Sequence, residues 1–333
     1  MYIQTPLNSA EDVEALVRAG ANEFYCGVVP IDWKEKYGFE IPLNCRSMYP
    51  WANFASIEEL AEAVKRSHYF GKKILVTFNE NSYTQSQVTY ILNLIEKLVD
   101  LSVDGVIVSN LPLLLAINEK KYPIKIVLSG EANCTSIAAT HFYKDLNVER
   151  IVFPRHVLIK EMNQIILANK NLEYEAFLLN EGCFFNGGYC YSIHHVCYSP
   201  LCRTCIFKLK KNVNKVDPYL FEKTKIEGVI KYNADAIIKY NNVKITKCGL
   251  CSIKLLKYIS VKYLKLVGRT AFLEDRIKWV QIIRKAIQMA EQINDFDEYR
   301  DACIEEFFGE SSAEICDQKF LCYYPDQYSL EHL

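Results

Sequence analysis

The chain has 333 residues, half of them hydrophobic, with 39 Lys and Arg against 40 Asp and Glu for a formal net charge of −1. That length suits one large α/β domain with an insertion, or two small domains. No run approaches the roughly 18–20 apolar residues of a membrane span, and the opening MYIQTPLNSAEDVEAL lacks the basic stretch and apolar run of an export signal. A cytoplasmic chain with no membrane contact is the expectation. The near-zero total hides an uneven distribution. Residues 203–269 carry 14 Lys and 2 Arg against 4 acids, a net of +12, while residues 291–333 carry 12 acids against Arg300 and Lys319, a net of −10. This asymmetry suggests an anionic ligand near the basic segment. Two solvated faces that neutralise each other are the plainer alternative.

In chain order, short apolar and branched segments alternate with amphipathic ones. Strands are expected at Tyr2–Pro6, Glu23–Val28, Lys73–Asn79, Gly105–Asn110, Lys125–Gly130, Arg150–Arg155, Glu173–Leu179 and Tyr263–Gly268. They read as strands buried on both faces. Ser9, Ser56 and Ser86 each precede a run with helical apolar spacing and are expected to cap it. Eight strand–helix units predict a (β/α)8 TIM-type barrel over residues 1–290, and no Gly-rich phosphate loop follows the first strand to favour an open doubly wound sheet. The two longest strand-to-helix connections are 29–55 and 180–252. In a barrel both emerge on the C-terminal face, where active sites sit. The second is a long cysteine-rich insertion after the seventh strand. The acidic segment 291–333, with its aromatic FLCYYPDQYSL stretch, is expected to dock on the barrel.

Seven of the 13 cysteines fall within residues 183–251: Cys183, Cys190, Cys197, Cys202, Cys205, Cys248 and Cys251. In a reducing compartment such clustering points to metal or redox chemistry, not to disulfides. Cys202/Cys205 and Cys248/Cys251 are CxxC pairs that suit tetrahedral zinc, and all-thiolate sites suit iron–sulfur clusters equally. The Cys183-x6-Cys190 spacing is uncommon for zinc and favours iron–sulfur. Cys197-x4-Cys202-x2-Cys205 is one residue away from the three-cysteine motif of radical S-adenosylmethionine enzymes and follows the wrong strand for it. A metal that merely staples a long loop is the structural alternative.

The fragments AGANEFYCGV, NFASIEELAEAV, GKKILVTFN, VDGVIVSN, VERIVFPRH and YLKLVGR, with EGCFFNGGYC, follow the order seen in the collagenase-like peptidase family U-32, and the chain resembles that family from about Pro6 to Arg276. The resemblance implies a barrel carrying a 4Fe–4S cluster on four cysteines, here Cys183, Cys190, Cys202 and Cys251. Despite the peptidase name, it implies an oxygen-independent hydroxylase acting on tRNA uridine, ribosomal RNA cytidine or the ring of a quinone precursor. A prephenate-like molecule is the oxygen donor in some relatives, and a partner subunit of the same family accompanies others. The sequence departs from the family's pattern in three places. The loop before the paired motif is short, so Cys197 or Cys205 competes with Cys202, and Cys248 competes with Cys251. Cys45 in NCRS resembles a ligand position of one subgroup, giving an alternative set of Cys45, Cys190, Cys202 and Cys205. LLNEGC stands where a His-Gly-Ala step is common.

Asn79, Asn110, Glu131, Arg155, His156, Glu181 and Arg269 sit at expected strand ends, positions that face a barrel's mouth. Arg155, Glu181 and Arg269 are the candidate catalytic residues. The two arginines suit a carboxylate or phosphate held bidentately, with ion pairing to Glu131 or Glu181 at the rim as the alternative for each. His194 and His195 lie within the cysteine loop, as candidate proton shuttles or solvated side chains. Tyr189 and Tyr191 flank Cys190 and would shield a cluster from water. Two further function classes stay open: an RNA- or partner-binding module built on the basic segment and its interleaved aromatics, and a hydrolase, although no HExxH, GxSxG or local Cys–His signature is present.

Overall fold

The computed structural model describes residues 1–180, 238–240, 243–308, 316 and 321–329. Its strands are β1 (Tyr2–Pro6), β2 (Glu23–Cys26), β3 (Lys73–Phe78), β4 (Gly105–Val108), β5 (Lys125–Leu128), β6 (Arg150–Val152), β7 (Glu173–Leu179), β8 (Ile238–Tyr240), β9 (Val243–Ile245) and β10 (Tyr263–Leu266). β8 and β9 form an antiparallel pair. The other eight close a barrel in the order β1-β2-β3-β4-β5-β6-β7-β10, every neighbour parallel. This is the expected TIM-type fold. Six of the eight strands end earlier than the sequence suggests, because Asn79, Asn110 and Arg155 continue the chain after it has left the ladder for the mouth.

The helices that cover the barrel are α1 (Asp12–Ala19), α2 (Ile31–Tyr37), α3 (Ile57–Tyr69), α4 (Gln85–Asp100), α5 (Leu111–Lys120), α6 (Ile137–Asp145), α7 (Ile159–Ala168), α8 (Ile253–Tyr258), α9 (Leu273–Gln292) and α10 (Phe296–Phe308). Ser56 caps α3 as expected, its hydroxyl accepting from Glu59 N at 3.2 Å. Two expected caps are corrected. Ser9 forms a turn ahead of α1, its hydroxyl accepting from Glu11 N. Thr84, not Ser86, caps α4 in a reciprocal box with Gln87, an arrangement that satisfies two otherwise orphaned N–H groups. Ser86 lies in the first turn and meets the Tyr37 hydroxyl at 2.8 Å.

Apolar strand residues such as Phe24, Ile74, Val76, Val106, Val127 and Leu264 are fully or almost fully buried against the helices. Burying each contributes about 1.5–3 kcal/mol. The interior of the barrel's N-terminal half is different in kind. Glu23 on β2 and Arg150 on β6 are four strands apart whichever way the ring is followed, so their two-pronged ion pair crosses the barrel. Arg150 also reaches Glu175 at 3.1 Å and lies 3.3 Å from the centre of the Tyr263 ring. Lys265 pairs with Glu175 at 2.7 Å and with Gln4, which donates to Glu23 at 2.7 Å. Burial opposes the Arg150 charge, but Glu23 and Glu175 more than offset it and hold the guanidinium firmly protonated. At the outer edge of this group, burial alone would raise Glu173, yet Lys125, Lys262 and Arg150 draw its pKa down to about 2.

The C-terminal part is tied to the barrel near the end of β7. Cys248 bridges Leu179 on one side and Cys322 on the other, and its N–H donates to Leu321 O at 2.7 Å. The Tyr324 hydroxyl donates to Phe177 O at 2.6 Å, and the Tyr299 hydroxyl of α10 donates to Leu250 O at 2.8 Å. Among the described residues no helix is long and apolar enough to cross a membrane.

Candidate functional site

The C-terminal ends of the strands open onto a mouth whose inner wall is the connection between β2 and α3. That connection is folded by short polar side chains. The Ser47 hydroxyl accepts from Leu43 N and Asn44 N at 2.9 and 2.7 Å, Asn53 Nδ2 donates to Arg46 O and Tyr49 O, and Asn44 Nδ2 donates to Asn53 Oδ1 at 3.0 Å. The result is a fixed pair of amide oxygens facing inward. Arg269, just beyond β10, fills the space between them. Its Nη2 donates to Asn44 Oδ1 at 2.9 Å, and its Nη1 donates to Thr77 Oγ1 at 3.3 Å and Asn53 Oδ1 at 3.5 Å. Gly27 makes this approach possible. A Cβ there would collide with Asn53 Oδ1, Arg269 Nη1 and Asn44 Nδ2.

Arg269 is 4% exposed, and among the described residues it pairs with no carboxylate. Burial, reinforced by the nearby Arg46 charge, pulls its pKa down to about 10. Beside it, the Cys45 thiol donates to Asn79 O at 2.8 Å. Burial and then the Glu131 and Glu80 carboxylates push Cys45 well above the ordinary thiol range, against the pull of Arg46 and Arg269. A thiol so held is neutral, the opposite of what a thiolate nucleophile needs. Glu80, after β3, is itself raised by burial and by Glu131. Cys45 thus stands within electrostatic reach of two carboxylates (Glu80, Glu131) and two guanidinium groups (Arg46, Arg269).

The two arginines singled out from sequence separate here. Arg155 Nη1 meets Glu131 Oε1 at 2.9 Å, and its guanidinium lies 4.2 Å from the centre of the Phe177 ring. It takes the rim ion-pair role, and Arg269 does not. Asn110 caps α5, its Oδ1 accepting from Leu113 N at 2.9 Å, while Asn79 holds Cys45 through both its carbonyl oxygens. His156 is exposed at the end of β6. Sequence reasoning passed over Asn44, Arg46, Asn53, Thr77 and Glu80. The available signal was their density in the 29–55 connection and directly after β3. Glu181, Cys183, Cys190, Cys197, Cys202 and Cys205, with His194, His195, Tyr189 and Tyr191, lie outside the described residues.

Cys251 is described, and it is buried in a turn at Leu250–Ser252 that leads into α8. The Tyr299 hydroxyl holds α10 against this turn, and Cys303, Cys248 and Cys316 lie close enough to act on Cys251 electrostatically. All four are buried and none is in a disulfide. Within the CxxC, Leu250 N–H donates to Cys248 Sγ at 3.5 Å. A thiophilic metal or cluster takes several soft sulfur donors without competing disulfides, and Cys251 in this setting fits that requirement. Among the described residues no three His, Cys, Asp or Glu side chains stand together at metal-binding geometry.

The family model for peptidase family U32 matches residues 8–331. Curated relatives include tRNA hydroxylation protein P of Helicobacter pylori, 27% identical over 187 residues, covering 56% of this chain and 40% of the relative. The protein of the same name from Haemophilus influenzae is 28% identical over 186 residues, covering 56% and 37%. tRNA hydroxylation protein P1 of Bacillus subtilis is 25% identical over 195 residues, covering 57% and 41%. The matched region is thus about two fifths of each relative. Among solved structures, the U32 peptidase Mk0906 aligns over 80% of this chain and 93% of its own, with a TM-score of 0.45 and 12% identity.

Proposed function

The chain belongs to peptidase family U32, and from that premise we propose that it is an iron–sulfur-dependent hydroxylase acting on an RNA base. Support for the RNA substrate comes from the relatives, which are named for tRNA hydroxylation. The observation that carries a reaction at the mouth is Arg269: a buried guanidinium, held flat by neutral amides, beside the Cys45 thiol of the β2–α3 connection and with no carboxylate partner among the described residues. Burying an uncompensated charge is costly, so the arrangement is complementary to an anion that arrives from outside.

In this reading the cluster is held by Cys183, Cys190, Cys202 and Cys251, or by the alternative set that includes Cys45, and when bound it supplies one-electron chemistry. Arg269 holds a carboxylate or phosphate, either of a small aromatic oxygen donor of the prephenate type or of the RNA backbone. Asn44 and Asn53 fix the plane of that guanidinium. Arg155, steadied by Glu131 and Phe177, shapes the rim, and Glu181, outside the described residues, is the further candidate catalytic residue. Glu80, its pKa raised by burial and by Glu131, lies on the same mouth.

Purification without oxygen should give a brown protein with a broad visible charge-transfer band and about four irons per chain. Transfer RNA from cells lacking the gene should miss one oxygen on a single nucleoside, and wild type, but not Cys183→Ala, should restore it. A colourless chain despite full iron supply, or tRNA nucleosides unchanged by the deletion, would sink the proposal. The peptidase alternative predicts activity that survives iron chelation.

A further inference from the structure

Trp51 stands on the rim of the mouth, in the short turn Pro50–Ala52 of the β2–α3 connection, and is 57% exposed. The two other tryptophans of the chain, Trp33 and Trp279, are buried. We propose that Trp51 is the stacking platform for an unpaired RNA base, so that the mouth takes a nucleotide from a single-stranded loop and not from a duplex. The inference rests on the RNA-base reading above and adds to it the form of the RNA and the side chain that engages the base.

A single exposed apolar side chain is ordinary on a protein surface. Three observations set Trp51 apart. Its ring is held in place: Nε1 donates to Thr270 O at 3.4 Å, and Tyr49 packs against it with ring centres 5.5 Å apart and planes at 79°. A ring already fixed loses little freedom when a base stacks on it. Trp51 also belongs to the support of Arg269. Thr270 follows Arg269 directly, and Asn53, two residues after Trp51, ties the turn to the guanidinium. Its Oδ1 accepts from Arg269 Nη1 at 3.5 Å, while its Nδ2 donates to Tyr49 O at 3.0 Å and Arg46 O at 2.8 Å. An exposed ring is thus built onto the same turn as a positive charge that no carboxylate pairs among the described residues. Finally, Trp51 is not isolated: Phe39 on the same connection and Phe272 after β10 are exposed as well, and these two connections flank the end of β1. A nucleotide answers both features, with a flat base for the ring and a phosphate for the guanidinium. An apolar peptide would leave the charge unanswered, and a small anion would leave the ring unused. A duplex hides its base faces within the stack, so only an unpaired or extruded base can lie on Trp51.

The test uses the full chain, purified without oxygen, with a single-stranded oligouridylate of about ten nucleotides and the same strand paired with its complement. Subtracting the emission of Trp51→Phe from that of wild type isolates the Trp51 fluorescence. In the free chain acrylamide should quench that fluorescence. The single strand should quench it too and protect it from acrylamide, and the duplex should do neither. Trp51→Ala should weaken binding of the single strand about tenfold or more, and Trp51→Phe, which keeps a flat ring, should retain most of the affinity. The salt dependence of binding should be the same in Trp51→Ala as in wild type, since stacking releases no counterions. Tyr69→Ala, at the exposed last residue of α3 on the opposite end of the barrel, should match wild type throughout. Wild-type affinity in Trp51→Ala, equal quenching by the duplex, or Trp51 already shielded from acrylamide in the free chain would overturn the proposal. Quenching by a small cyclic carboxylate but not by RNA would give the face to the oxygen donor and overturn it as well. A tRNA nucleoside that still loses its oxygen when the gene is deleted would leave the RNA-base reading standing beside any of these results. Unchanged tRNA, together with no binding of either RNA, would overturn both.

Discussion

Two arginines, equally deep in the barrel, have opposite surroundings. Arg150 is fully buried in the N-terminal half and is gripped by Glu23 and Glu175; Arg269 is 4% exposed at the mouth and is gripped by amides and a hydroxyl. Burial depth alone does not tell a structural charge from a functional one. What separates them is whether the protein itself supplies the counter-charge. In the lower half it does, and the charges close a finished network. At the mouth it leaves that role to a ligand.

Breaking the network should have the largest effect. Arg150→Met strands the buried Glu23 carboxylate and leaves Glu175 with Lys265 alone, and should lower the unfolding free energy by about 3–5 kcal/mol, read by urea denaturation. Acid probes the same region. Glu173 has its pKa lowered from 4.5 to about 2, so the stability it contributes is present above pH 4.5 and is lost as pH falls toward 2. Glu173→Gln should flatten that part of the acid-unfolding curve; an unchanged curve would mean that the Lys125 and Lys262 contacts contribute little. At the mouth, Gly27→Ala should destabilise by about 1–3 kcal/mol through overpacking and should also weaken anion binding, because Arg269 and both amides must move. The smallest change in stability, and the sharpest contrast with Arg150, is expected for Arg269→Met. Removing an uncompensated buried charge should shift the unfolding free energy by less than about 1 kcal/mol or raise it. Phosphate or citrate should raise the melting temperature of the wild type and leave that of Arg269→Met unchanged. A loss as large as that of Arg150→Met would show that the amides alone compensate the charge.

The barrel was legible because its strands are short apolar runs, such as Ile74–Val76 and Val106–Val108, flanked by capped amphipathic segments. Their ends were not, because polar residues that leave the ladder for the mouth look, in sequence, like its continuation. The network in the lower half was overlooked although each member stands out in its strand: Glu23 in EFYC, Arg150 in RIV, Glu175 in EYEAFLL and Lys265 in YLKL. No local pattern says that β2 and β6 face each other across a ring; closure does. At the mouth, Arg269 was found from its position after a strand, but its distinction from Arg155 needed Glu131 in space. The docking of α10 on the Cys251 turn was out of reach for the same reason, since only the fold brings Tyr299 to Leu250 O.

The Asn180–Thr246 junction has a consequence for how much chain the barrel can carry after β7. Thr246 N donates to Asn180 Oδ1 at 2.6 Å, and Leu179 bridges Cys248, so the chain departs from the barrel and returns to it at adjoining points. Whatever lies between them spans almost no distance. Closing a longer loop between fixed ends costs only about 0.6 kcal/mol for each doubling of its length. The barrel can therefore carry a connection of very different length at this point for little cost in closure, because the end of β7 and the turn at Cys248 already hold its two ends together.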